Sequence, residues 1–322
     1  MLHVPQVDIA PFVAGAPAGE RLAVARAFGR ALETTGFVTI VGHGVPPELA
    51  RSTYEAAQAF FAQPLEAKRR YTPPEQAKGR GYLPVGIESV AATLRGPTPP
   101  DLCEALVFAS IARERVGLGL PNFWPDEPPS LGPCVEAWHD AMQRLSAQLM
   151  RLAALALGLP EDWFAPHYRG GNVVLRFVAY PEQPDTPAAG QLRYGAHHDY
   201  GGLTILRQDG SPGGLQVCDA GGDWHDVPAA PAALVINVGE LLSRWTNDRW
   251  RSTLHRVANP PRGAAAATRR LSLVAFTGPD PETEVRCLPS CTGPGRPPRY
   301  PPVEAHEFVL AKLRASMELP GR

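Results

Sequence analysis

Three kinds of residue pattern are scarce in this chain: an excess of either charge, paired cysteines, and long apolar runs. The 322 residues carry a net charge of -1, so no basic surplus draws the chain to nucleic acid or to an anionic membrane. No apolar run approaches the ~18 residues that a membrane span needs. The opening Met1–Phe12 has no basic segment followed by an apolar one, so a signal peptide is not expected. The five cysteines (Cys103, Cys134, Cys218, Cys287 and Cys291) are odd in number and include no Cys-x-x-Cys pair. That argues against a disulfide framework or a thiolate zinc site, and for a reduced, cytoplasmic setting. Lysine is almost missing too: of 31 basic residues only Lys68, Lys78 and Lys312 are lysines. This reads as coding bias rather than function.

What is present is enough apolar material for a core, at 44% hydrophobic and 20% charged. The first half reads as helical. Leu22, Ala25, Phe28, Ala31 and Leu32 recur at three- and four-residue spacing between Gly19 and Thr35, and Gly36 ends the pattern. A β run over Phe37–Val41 and a helix over Pro47–Phe61 follow. The longest helix is expected from about Cys134 to Leu157, with Val135, Trp138, Met142, Leu145, Leu149 and Leu152 in one stripe. Thr72–Pro100 is rich in Gly and Pro and reads as a long loop or lid. After Gly171 short β-prone runs take over, separated by Gly201-Gly202, Asp209-Gly210, Gly213-Gly214 and Gly221-Gly222. Many short strands with Gly-rich turns point to a sandwich or jelly roll. Ala233–Val238 is apolar on both faces until Asn237 and fits a central strand; a last helix is expected over Val303–Met317. The expected organisation is one domain: a helical region over 1–170, a β core over 171–290 and a C-terminal segment over 291–322.

The run Gly195-Ala-His-His-Asp-Tyr-Gly-Gly-Leu-Thr-Ile-Leu206 sets His197 and Asp199 two residues apart. On a strand, positions i and i+2 share a face, so an imidazole and a carboxylate can reach one ion. His255, in a β-prone run downstream, fits as a third ligand. Two histidines and one carboxylate on one face of iron(II) leave three positions open for co-substrate and oxygen. A His-x-Asp pair alone is weak, because polar residues at strand ends are common; the context strengthens it. His198 should face away and not ligate. Arg270 and Ser272 share a face by the same period, and a guanidinium beside a hydroxyl suits a carboxylate. Tyr180 could add a third hydrogen bond, although an Arg on a strand more often ends in solvent.

Together these residues resemble the isopenicillin N synthase-like branch of the iron(II)/2-oxoglutarate-dependent oxygenases. The resemblance spans nearly the whole chain. It is carried by Val4-Pro-Gln-Val-Asp-Ile-Ala-Pro11, Gly36-Phe-Val-Thr-Ile-Val-Gly-His-Gly-Val-Pro46, Gly79-Arg-Gly-Tyr82, Gly214-Leu-Gln-Val217 and Asn237-Val-Gly-Glu240, beside the motifs above. It implies a β-rich α+β fold, a double-stranded β-helix (jelly-roll) core with flanking helices. It assigns His197, Asp199 and His255 to Fe(II), and Arg270, Ser272 and Tyr180 to the distal carboxylate of 2-oxoglutarate. It implies that O2 and 2-oxoglutarate react at iron to give succinate, CO2 and oxidation of an unactivated C–H bond of a small molecule. Hydroxylation is the usual outcome, with desaturation or ring closure as variants; Asp199 leaves no vacancy for a halide. Several positions depart from the family pattern: Val178, His198, Ala232-Ala233 and Glu240. An iron oxidase or oxidative cyclase that uses no 2-oxoglutarate stays open, as do a metabolite-binding protein and a zinc hydrolase. The expected pocket walls are Arg80–Val90, Phe108, Phe177, Val178, Tyr200, Leu203 and the last helix. Arg80, Arg95 and Arg193 are candidates for an acidic substrate, with surface charge the commoner fate. A monomer is the default.

Overall fold

The computed structural model describes residues 2–74, 79–96, 98–119, 121–182, 187–261 and 268–317. Its strands, in chain order, are β1 (Gln6–Asp8), β2 (Phe37–Val41), β3 (Gly81–Leu83), β4 (Glu104–Phe108), β5 (Val173–Tyr180), β6 (Tyr194–His197), β7 (Leu203–Gln208), β8 (Leu215–Cys218), β9 (Trp224–Asp226), β10 (Leu234–Val238), β11 (His255–Val257), β12 (Arg270–Thr277), β13 (Glu284–Val285) and β14 (Val303–Glu304). Eight of them form a large sheet in the order β1-β2-β10-β7-β12-β5-β4-β3. Four form a small sheet, β6-β11-β8-β9, and β13 pairs with β14.

Strand alternation sorts the large sheet into two faces. Leu234, Ile236 and Val238 of β10, Leu203 and Ile205 of β7, and Leu271, Leu273 and Ala275 of β12 pack outward. There they meet three helices: α1 (Ala18–Thr34), α2 (Pro47–Phe61) and α3 (Leu131–Ala156). The stripe Val135, Trp138, Met142, Leu145, Leu149 and Leu152 is at most 2% exposed, so each side chain contributes about 1.5–3 kcal/mol of burial. The inward residues meet the small sheet. Phe37 and Val235 pack on Leu215, Val217 and Val227, while Val178 and Tyr180 pack on Val257 and Tyr194. Two sheets closed face to face make the jelly roll that the turn pattern implied.

Several local expectations shift. β1, β3 and β4 place the first 170 residues within the large sheet as well as in helices. β4, Glu-Ala-Leu-Val-Phe, is built partly of helix-favouring residues; pairing on both edges with all five side chains buried overrides that propensity. The span read as a loop from Thr72 to Pro100 holds β3 and a helix, α4 (Ala92–Arg95), while residues 75–78 and 97 lie outside the described residues. The last helix, α5, covers Ala305–Met317 after β14.

Gly36 shows how tightly the helix layer is joined to the site. It turns the chain from α1 into β2 with φ +72°, and a Cβ there would lie 2.3 Å from both Arg251 O and Thr253 Oγ1. Thr253 leads directly to His255. Gly36→Ala is therefore expected to destabilise the protein by about 2 kcal/mol or more. Urea unfolding measures this, and an unchanged midpoint would mean that the turn relaxes without cost.

Candidate active site

His197 ends β6 and His255 begins β11, and the two lie directly opposite each other in the antiparallel pair. Their ring centroids are 4.2 Å apart. His197 Nδ1 is 2.9 Å from Gly195 O, and His255 Nδ1 is 3.0 Å from Thr253 O. A carbonyl only accepts, so both Nδ1 atoms carry the proton and both Nε2 lone pairs are free. Asp199 Oδ1 lies 3.5 Å from His197 Nε2 and 3.6 Å from His255 Nε2. These separations exceed a hydrogen bond and suit donors roughly 2.0–2.2 Å from one shared ion.

The electrostatics also ask for a cation. Burial, then the neighbouring His197 ring, lowers the pKa of His255 to about 4, so its imidazole is neutral at neutral pH. Burial works against the Asp199 carboxylate, but His255, His197 and the Thr204 hydroxyl outweigh it and hold its pKa well below the usual range. A buried carboxylate oxygen with two imidazole Nε2 atoms turned towards it is a donor set that a divalent ion satisfies. Among the described residues, these three are the group of His, Cys, Asp or Glu able to converge on a metal.

The carboxylate is held from behind. Asp199 Oδ2 accepts hydrogen bonds from Thr204 Oγ1 and Asn237 Nδ2, each at 2.6 Å. Both donors project inward from adjacent large-sheet strands, so the polar interruption at Asn237 has a job. Asp199 itself lies just past β6, not on the strand as the period-two argument assumed. Its carbonyl accepts from Glu240 N at 2.7 Å, and Gly239 N donates to Gly202 O at 2.7 Å. A Cβ on Gly239 would sit 2.4 Å from Gly201 O. The Gly201-Gly202 turn and the Asn237–Glu240 segment are thus one interlocked unit.

Arg270, Ser272 and Tyr180 come together on the inner face. Arg270 pairs with Tyr180 across β12 and β5, Tyr180 is hydrogen-bonded to Ser272, and burial pushes the phenol pKa well up. Arg270 Nη2 donates to Gln208 Oε1 at 2.8 Å, and Nη1 lies 3.6 Å from Asp209 Oδ1. Its Nε is buried without a partner, an open donor that an acidic ligand would satisfy. Val257, two residues beyond His255, packs against Tyr180 and Val178, so the inward residues of β5 lie on the same inter-sheet side as the metal ligands.

His198 turns away as expected, towards Ser252, with Nδ1 3.4 Å from its Oγ, and is not among the ligands. Other expectations change. Phe108, Phe177 and Leu203 are not pocket walls: alternation sends them outward into the helix-packed core, Phe108 against Trp124 and Phe177. Val178 does face inward. Arg193 and Arg80 are not surface charges. Arg193 is 0% exposed and donates to Pro212 O at 2.7 Å and to Thr268 O. Arg80 is buried over the Phe123 ring. The Arg95 side chain lies outside the described residues. The last helix reaches the site region through Lys312 Nζ, 2.7 Å from Glu240 Oε1. Thr204, Gln208, Asp101 and Arg176 escaped the sequence reading, since each is tied to the site only by contacts between distant strands and loops; Glu88 fell within the expected Arg80–Val90 wall but was not singled out.

Comparison with known proteins gives the same picture. Residues 4–127 match the family described as non-haem dioxygenase in morphine synthesis N-terminal. Residues 169–279 match the 2OG-Fe(II) oxygenase superfamily. The chain is 32% identical over 325 residues to the 2-oxoglutarate-Fe(II) type oxidoreductase hxnY of Emericella nidulans, covering 97% of this chain and 90% of that one. It is 32% identical to the proline hydroxylase buaE of Petromyces alliaceus, covering 89% and 91%. A full-length Neurospora crassa protein crystallised in complex with alpha-KG superposes with a TM-score of 0.85 at 27% identity, covering 97% and 96%. No helix among the described residues is long and apolar enough to cross a membrane.

Because Asn237 orients the carboxylate without touching the ion, Asn237→Ala is expected to weaken metal affinity about 10–100-fold while leaving all three ligands in place. Titration of the metal-free protein with iron(II) reads this directly.

Proposed function

The chain belongs to the 2OG-Fe(II) oxygenase superfamily, and from that premise we propose how its own residues divide the work. The protein is an iron(II)- and 2-oxoglutarate-dependent oxygenase of small molecules, with iron held by His197, Asp199 and His255. With its co-substrates bound, iron(II) supplies the oxidising chemistry of the overall reaction R–H + 2-oxoglutarate + O2 → R–OH + succinate + CO2. The observation that carries the residue assignment is the inward cluster of Arg270, Ser272 and Tyr180, with a buried Arg270 Nε lacking a partner.

In this reading Arg270 binds the distal carboxylate of 2-oxoglutarate, since a buried guanidinium keeps its charge and matches a carboxylate in shape. Ser272 and Tyr180 donate to the same group. Gln208 and Asp209 hold the guanidinium in place. Val178 and Val257 keep the chamber apolar between clamp and metal, which excludes water from it. Hydroxylation is the outcome we assign, with the whole chain acting as one unit, a cytoplasmic monomer.

The test is an anaerobic titration of the iron(II)-loaded protein with 2-oxoglutarate, followed by a weak visible charge-transfer band. A saturating band is expected for the wild type. Arg270→Ala should need about 10–100 times more 2-oxoglutarate to reach it, and His197→Ala should release no succinate. A wild-type band that Arg270→Ala leaves unmoved would take the clamp away from Arg270.

A further inference from the structure

We infer that Arg176 and Glu88 form the polar end of the substrate pocket, and that the substrate they select is a zwitterion of the amino-acid type. This rests on the oxygenase reading above and adds the substrate class to it.

Arg176 lies on β5, on the same inward face as Val178 and Tyr180. It lies four positions before Tyr180, or roughly 13 Å along the strand, so it is too far along to share the Arg270 clamp. Its guanidinium sits 5.5 Å from the centroid of the Tyr194 ring. That ring in turn meets His197 edge-on at 4.9 Å. Arg176 is therefore one aromatic ring away from a metal ligand.

Its partner is placed with equal care. Arg176 Nη1 donates to Glu88 Oε1 at 3.0 Å, and Nη2 donates to Glu88 Oε2. Glu88 comes from the segment after β3, and that segment is fastened to the metal-bearing strand. Asp101 N donates to Glu88 O at 2.8 Å. The Asp101 carboxylate accepts from Val90 N at 2.9 Å and from Gly195 N at 2.8 Å. The Arg176 side chain is 12% exposed and that of Glu88 28%, so the pair is sheltered yet reachable.

A sheltered ion pair is a poor stabilising device, because desolvation offsets most of its attraction. One aromatic ring away from a metal ligand, it makes sense as a receptor. The pair is neutral as a whole. A substrate with a single charge would leave one of the two groups buried without a counter-ion. A neutral amide would exchange charge-assisted hydrogen bonds for weaker ones. A zwitterion replaces both partners at once: its carboxylate takes the Arg176 fork and its ammonium takes Glu88. The cation–π contact with Tyr194 helps hold the guanidinium while this exchange occurs.

The experiment uses the iron(II)- and 2-oxoglutarate-loaded full-length protein and a panel of α-amino acids, their deaminated acids and their amides. Binding is followed anaerobically by the change each compound makes in the charge-transfer band, and turnover by succinate release. At least one amino acid should bind and stimulate succinate release, with its deaminated acid and amide binding at least tenfold more weakly. Glu88→Gln should narrow the Kd gap between amino acid and deaminated acid about tenfold. Arg176→Lys should raise the amino-acid KM more than it lowers kcat. A merely structural pair would weaken all ligands together, so an unchanged gap in Glu88→Gln overturns the inference. So does a preference for the deaminated acid or the amide, or silence towards every amino acid in a protein that still forms the 2-oxoglutarate band. If the band itself never forms, the oxygenase reading fails, and this inference falls with it.

Discussion

The structure turns on one buried carboxylate with its two oxygens assigned to different tasks. Asp199 Oδ1 faces the two Nε2 atoms, and Oδ2 is fixed by Thr204 and Asn237. That division requires the small sheet to present the histidines and the large sheet to present the two donors. It also requires the Gly201-Gly202 turn to bring the chain between them. The sheets cannot slide by one residue without sending Thr204 and Asn237 into the helix-packed core, where their polar groups would have no partners. The metal site and the register of the fold are therefore the same constraint seen from two sides. An uncharged residue at 199 would satisfy the packing but leave the divalent ion with one fewer negative charge.

The legible part of the sequence was the part governed by period and local chemistry. The α3 stripe, the apolar run of β10, the alternation of Arg270 and Ser272 in β12, and the Gly-rich turns are all one-dimensional signals, and each fits the observed elements. The metal ligands were legible for the same reason, since a His-x-Asp pair at a strand end is a local pattern. What stayed hidden depends on pairing between distant segments. β4 reads as helix-compatible until its neighbours β3 and β5 are in place. Phe177 and Val178 look equally suited to a pocket wall, and only the register decides that Phe177 faces the helices and Val178 the chamber.

The arginines show why composition misleads at a site. The ordinary fate of arginine is solvent, yet Arg80, Arg193 and Arg270 are at most 8% exposed and Arg176 is sheltered. Each is held differently. Arg193 spends its donors on the carbonyls of Pro212 and Thr268, which stitches the β7–β8 turn to the approach to β12. Arg270 leans on Gln208 and Asp209 but keeps a free Nε. Arg176 is fully answered by Glu88. What sets Arg270 and Arg176 apart from Arg193 is that each is answered by side chains, Gln208 and Asp209 for the one and Glu88 for the other, whereas the hydrogen bonds of Arg193 go to backbone carbonyls.

That distinction bears on how the site would tell a dianionic co-substrate from a net-neutral substrate. Arg193 lies 5.9 Å from the Tyr180 ring and Arg270 pairs with Tyr180 across the strands, so positive charge is concentrated at the clamp end. Burial and the nearby Arg270 both lower the pKa of Arg193, which is the cost of crowding two guanidinium groups. A dianion relieves that crowding better than a net-neutral molecule does. At the other end, Arg176 is already neutralised, so a dianion gains little there and a zwitterion can exchange evenly. On this reading the two ends of β5 are sorted by net charge as well as by shape. The co-substrate is drawn to the end where Arg193 and Arg270 share the single carboxylate of Asp209, and the molecule to be oxidised is left with the balanced one.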